Sequence, residues 1–120
     1  MRSPFPIALA IFISLASPGA AQTPLLHDPA HAASAATWCA AHAAKGELVA
    51  ALSDCDFAVA NQPKNKIALS NRGSVWLLAK EYQRAVLDFN AAIEVVADDA
   101  ALYFNRGIAH ASMGDRDKAN

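Results

Sequence analysis

Two cysteines, four histidines and a set of evenly spaced aspartates and arginines are the side chains of this 120-residue chain with the most chemistry in them. His27, His31 and His42 with Cys39 are metal-ligating types, but their spacing fits no ligand pattern, and His27 and His31 fall in or beside a proline-bearing linker. There is no glycine-rich phosphate loop, no nucleophile elbow and no Ser/His/Asp set. The expectation is a protein without catalytic residues, metal or cofactor. Cys39 and Cys55 can form a disulfide or stand as two separate buried thiols. Asp54 precedes Arg72 by the same interval, 18, as Asp88 precedes Arg106. Asn71 and Asn105 each offer a donor and an acceptor to a peptide backbone.

These residues recur because the chain repeats. Asn71-Arg72-Gly73 returns as Asn105-Arg106-Gly107, and the same interval pairs Gly46-Glu47 with Lys80-Glu81 and Gly114-Asp115, Ala51 with Ala85 and Ala119, Cys55 with Phe89, and Ala58 with Ala92. A 34-residue interval of this kind is that of a supersecondary unit made of two helices. Apolar residues at three- and four-residue intervals predict helices over 31–44, 48–60, 66–79, 82–96 and 100–113, with a sixth opening at Gly114-Asp115 and reaching Asn120. Pro63 stops the second, and Asp98-Asp99 is placed to cap the fifth. No strand-like alternation of any length occurs, so the fold class is all-α, antiparallel helix pairs stacked as repeats 32–65, 66–99 and a truncated 100–120.

A net charge of −1 gives no motive for nucleic acid or an anionic surface as partner. The 54% hydrophobic fraction owes much to alanine, which is helix-forming rather than membrane-seeking material. The N-terminus differs: Arg2, an apolar run from Ile7 to Ala16 and the tail Pro18-Gly19-Ala20-Ala21 have the order of a secretory signal peptide. The run from Phe5 to Ala21 is shorter than the roughly 20 apolar residues of a spanning helix. Residues 1–21 are therefore read as a cleaved signal, 22–31 as a linker, and the destination as an oxidising compartment, a bacterial periplasm in style.

From Ala32 to Asn120 the chain resembles the tetratricopeptide repeat family. The unit 66–99 carries the resemblance: Leu69, Gly73, Trp76, Tyr82, Ala85, Phe89 and Ala92 fall on that motif's large and small positions. Arg72 and Arg106 stand in a usual leucine slot, Ala97 replaces a closing proline, and the first unit departs most, with Ala35, Cys39 and His42 at its motif positions. The resemblance implies a right-handed solenoid of about two and a half repeats. It also implies a non-catalytic module that binds a protein or peptide segment in the concave groove of its first helices, here Asn71, Ser74, Leu77, Phe104, Asn105 and Ile108. Ala36, Ala40 and Ala101 replace the basic residues that clamp a carboxylate in some relatives, which suits a neutral or apolar segment. Capping or repeat-to-repeat hydrogen bonding is the competing role for the two asparagines.

Within such a stack Gly73 and Gly107 are expected to let helices approach closely. Asp54 with Arg72, and Asp88 with Arg106, are expected to tie one repeat to the next, because an arginine in an apolar slot needs a carboxylate when partly buried. Cys39 and Cys55 lie midway along antiparallel helices and are expected to face each other; short exported repeat proteins similar to this one carry the same Leu52-Ser53-Asp54-Cys55 type of segment. The alternative function is a structural or self-associating module, with a homodimer seam along the uncapped last helix, or a fragment of a longer repeat protein.

Overall fold

The computed structural model describes residues 29–119. The signal peptide read over 1–21 and residues 22–28 of the linker lie outside that range. Five helices follow one another: α1 (Pro29–Ala44), α2 (Leu48–Asn61), α3 (Lys66–Leu78), α4 (Tyr82–Val95) and α5 (Ala100–Ala119). Among the described residues there is no strand, and the chain is an all-α, helical repeat-like stack. Helix α1 packs on α2, α3 on α4, and the pairs join through α1 with α3, α2 with α3 and α4 with α5. No described helix is long and apolar enough to cross a membrane.

Two termini depart from expectation. Helix α1 starts at Pro29 inside the segment read as linker; a proline is tolerated in a helix's first turn, where its missing N–H has no intrahelical acceptor. At the other end there is no sixth helix among the described residues, because α5 runs straight through Gly114. The two earlier residues of that repeat position, Gly46 (φ 79°) and Lys80 (φ 63°), are left-handed and reverse the chain. Each belongs to a paired closure: Glu47 N–H donates to His42 O (2.9 Å) and Gly46 N–H to Ala43 O (3.0 Å), and one repeat on Glu81 N–H reaches Trp76 O (2.8 Å) and Lys80 N–H reaches Leu77 O (3.0 Å). After Gly114 the residues Asp115-Arg116-Asp117-Lys118 carry no apolar side chain to bring back against α5. None of those four side chains rewards a turn by burial, and helical hydrogen bonding continues across them.

Helix starts are set by the same repeat logic. Asp99 Oδ1 accepts from Ala101 N–H (3.0 Å) at the head of α5, as expected. Asn65, one repeat earlier, caps α3 through Ile67 N–H (2.9 Å) and Ala68 N–H (3.2 Å). Lys66 Nζ then donates to Asp99 Oδ2 at 2.7 Å, tying the head of α3 to that of α5.

The core is built largely from small side chains. Ala51 and Ala85, and Ala58 and Ala92, are fully buried at matching repeat positions, and Phe89 and Val75 are the largest wholly enclosed hydrocarbons. Alanine lets helix axes approach closely, so burial of few large groups is offset by dense backbone contact.

Candidate functional site

The charged residues singled out by spacing do converge, in a different register. Arg72 on α3 donates from Nε to Asp88 Oδ2 and from Nη2 to Asp88 Oδ1, both at 2.9 Å, a fork-on-carboxylate pair within its own repeat. Its Nη1 reaches back to Asp56 Oδ1 of the preceding repeat at 3.0 Å. The hydrogen bonding of Arg72 to Asp88 is the first cause holding the guanidinium above its ordinary pKa, opposed by partial burial and reinforced by both carboxylate charges. The expected Asp54–Arg72 and Asp88–Arg106 pairs are thereby corrected. An interval of 16, not 18, spans an antiparallel pair, and Asp88 is consumed by Arg72.

Arg106 follows the corrected rule in one direction: its Nη1 donates to Asn90 Oδ1 at 2.8 Å, the position equivalent to Asp56. Asp54 shares the repeat position of Asp88, but the residue in the arginine slot of the first repeat is Trp38. Asp54 instead meets His42 Nδ1 at 2.7 Å, one helical turn further along α1. His42 thus takes a polar partner where Trp76, its repeat equivalent, lies under the Arg84 guanidinium at 4.8 Å.

Cys39 and Cys55 form a disulfide with Cα atoms 5.3 Å apart, both fully buried. Of the two glycines expected to permit close approach, Gly73 does so: a Cβ built there would lie 2.7 Å from Phe89 Cε1. Gly107 does not, since nothing lies within 4 Å of its Cβ position. The second helix that makes Gly73 necessary has no counterpart against Gly107 among the described residues.

The expected groove residues divide into three groups. Ser74 lines an open hollow of about 360 Å³ between α1 and α3, with Ala40, Ala43, Ala44, Asn71 and Leu78. Asn71 lines it while spending its amide on the repeat interface, Nδ2 donating to Ala36 O at 2.9 Å. Leu77 is a correction: it packs against the core cluster around Phe89, and its neighbour Leu78, 57% exposed, faces the hollow instead. On α5, Phe104 (69% exposed) and Ile108 (40%) stand open, and the side chain of half-buried Asn105 has no hydrogen-bond partner among the described residues. Among those residues there is also no group of three or more His, Cys, Asp or Glu able to hold a metal.

Asp56, Asn90 and Leu78 were missed by sequence reasoning. The signal for the first two was present: Asp56, Asp88 and Asn90 all lie 16 residues from an arginine. The signal for Leu78 was present too: a one-residue step turns the side chain by about 100°, and Leu77, at helical spacing from Leu69 and Gly73, shares their buried face while Leu78 does not.

No family model matches this chain. It is similar to a FAM10 family protein of Arabidopsis thaliana, 36% identical over 81 residues that cover 60% of this chain. The chain spans only 18% of the length of that relative.

Proposed function

We propose that this chain is a non-catalytic interaction module, a tetratricopeptide-type stack of about two and a half repeats that holds a segment of another protein against α1, α3 and α5. The carrying observation is the hollow between α1 and α3, walled by alanines, Ser74 and exposed Leu78, together with uncovered Phe104 and Ile108 at the repeat positions of Ser70 and Ser74. Apolar walls with a few amide groups favour an extended neutral or apolar segment, whose backbone Asn105 can meet with both donor and acceptor. Exposed apolar side chains in such a cluster mark interaction sites more often than isolated ones do. Export to a bacterial periplasm is part of the proposal, supported by the order of residues 2–21 and compatible with the Cys39–Cys55 disulfide.

Selection of binders from a random peptide library, followed by NMR mapping on the mature chain, tests this. Shifts are expected at Ser74, Leu78, Phe104, Asn105 and Ile108, with binding weakened by Phe104→Ala and Asn105→Ala. Binders that map only to α2 and α4 would overturn it. A second reading, a self-associating module, draws on the bare flank of α5; light scattering showing a monomer at micromolar concentration would sink that alternative.

A further inference from the structure

The disulfide and the hollow between α1 and α3 share their walls. On α1, Ala40 and Ala43 line the hollow; Ala40 follows Cys39 directly, and Ala43 also packs into the core cluster that holds Cys39, Ala51, Cys55 and Val75. On α3, Val75 is enclosed in the same cluster while its neighbour Ser74 lines the hollow. A shift of either cysteine therefore moves the residues that shape the hollow.

The remaining hold of α1 on α3 is slight. Apart from Cys39, the buried side chains of α1 are Ala32, Ala35 and Ala36, and a hydrogen bond from Asn71 Nδ2 to Ala36 O, 2.9 Å long, joins the two helices. The larger groups of α1 reach α2 instead: His31 lies edge-on to Phe57 with ring centroids 4.9 Å apart, and His42 Nδ1 meets Asp54 Oδ2 at 2.7 Å. Those contacts keep α1 on α2 when its α3 side opens. Breaking the disulfide favours that opening, because two unbonded sulfurs need van der Waals separation in a core already closed around them. Cys55 has a place to stay: its Sγ lies 3.8 Å from Ala68 O on α3, within reach of the weak hydrogen bond that a thiol donates. Cys39 leaves with α1.

We infer that the Cys39–Cys55 bond is a redox latch on the hollow: oxidised, it seats α1 against α3; reduced, it lets α1 swing off α3, so that the hollow loses its wall of Ala40, Ala43 and Ala44. A dithiol supplies the electrons. Its thiolate attacks one sulfur, the Cys39–Cys55 bond breaks as a mixed disulfide forms, and the second thiol of the reductant closes onto the first. The reductant leaves as a disulfide, and its two electrons and two protons remain on the cysteines as thiols. Both cysteines are 0% exposed, so the dithiol reaches them only while α1 is lifted. An occupant that pins α1 to α3 must then slow reduction, by the same coupling through which reduction weakens its binding. The latch regulates binding only if the hollow is the groove proposed above, whereas the movement of α1 does not depend on that reading.

The side-chain amide signals of Asn71 in NMR spectra of the chain report the movement. On adding dithiothreitol they are expected to shift, with exchange against water faster by about tenfold or more, while the Arg72 Nε signal, fixed by Asp88, stays in place. Cys39→Ala, with no bond to break, is expected to give the same spectrum with and without dithiothreitol. Unchanged Asn71 signals in a chain whose thiols are free by mass spectrometry overturn the latch. So does simultaneous loss of the Arg72 signal, which would mean that reduction unfolds α3 and α4 as well, and so does a response of Cys39→Ala to the reductant. A peptide selected on the oxidised chain and mapped to Ser74 and Leu78 is expected to bind about tenfold more weakly after reduction, and at saturation to slow reduction by about as much. Equal affinity in the two states would mean that α1 moves without governing the hollow, and overturns the regulatory role. Failure to select any peptide that maps to the hollow would sink the groove and its regulation together, leaving the Asn71 signals to decide the movement of α1 separately.

Discussion

Arg72 and Asp88 are joined by two parallel hydrogen bonds of 2.9 Å across the antiparallel pair α3 and α4, 16 residues apart in the chain. The Asp88 side chain is 8% exposed and that of Arg72 24%, so neither charge can return to water without opening the pair. Losing one partner leaves the other poorly solvated, which costs about 2–4 kcal/mol for groups at this depth. A double-mutant cycle on Arg72→Met and Asp88→Leu is expected to show coupling of about 1–3 kcal/mol in urea unfolding. The cycle on Arg72 and Asp54 is expected to show none. Equal coupling in both cycles would contradict the 16-residue register.

Cys39 and Cys55 occupy the repeat positions of Gly73 and Phe89, so the first repeat replaces a ring-on-glycine contact with a covalent bond. The substitution suits α1, whose buried residues are Ala32, Ala35, Ala36 and Cys39 and include no large hydrocarbon. On the loop-entropy account a bridge of this length contributes roughly 3 kcal/mol. Reduction, or Cys39→Ala with Cys55→Ala, is expected to lower stability by about that amount. Hydrogen exchange should rise first in α1 and α2. A reduced chain as stable as the oxidised one would contradict this.

Gly73 and Gly107 are equivalent in sequence and opposite in consequence. At Gly73 a methyl group would press on Phe89 at 2.7 Å, inside a contact that includes the Arg72–Asp88 pair one residue along. Gly73→Ala is expected to destabilise by about 1–3 kcal/mol through overpacking, more than the helix propensity it gains. Gly107→Ala meets open space and is expected to stabilise by up to about 1 kcal/mol, the propensity difference on an exposed helix face. Thermal midpoints of the two variants should move in opposite directions, and a shared direction would remove the distinction drawn between the two faces.

The repeat made most of this architecture legible. Its period, read with helical periodicity, located four of the turns and the Asp99 cap, and it put both cysteines midway along facing helices; the Asn65 cap went unread. It could not set the pairing of Asp54: Asp54 and Asp88 are the same repeat position, but the arginine slot that serves Asp88 holds Trp38 in the first repeat, and Asp54 pairs with His42 instead. Nor could it show that Gly114 stays helical: a glycine of that slot reverses the chain at Gly46, whereas α5 continues through Gly114 into the polar run Asp115-Arg116-Asp117-Lys118. Repeat position fixes where a side chain stands, whereas its partner depends on what the neighbouring repeat supplies. Asn71 spends its amide on Ala36 O, whereas the side chain of Asn105 finds no hydrogen-bond partner among the described residues.

Lys66 and Asp99 give the stack an acid-sensitive tie. The Lys66 ammonium, through its 2.7 Å hydrogen bond, is the first cause holding the Asp99 carboxyl below the usual carboxylate range, followed by the Ala101 N–H at the head of α5. A carboxyl whose folded pKa lies below its unfolded value, about 3.9 for aspartate, contributes stability that is complete above that value. The contribution is lost as pH falls through the folded pKa, in the acid range below about 4. Asp99→Asn retains a capping oxygen for Ala101 N–H but loses the ion pair. Its urea midpoint is therefore expected to fall below that of the natural chain at pH 7 and to converge with it near pH 2, more so at low salt. A difference between the two proteins that stays constant from pH 7 to pH 2 would show that the carboxylate charge of Asp99 does not join α3 to α5.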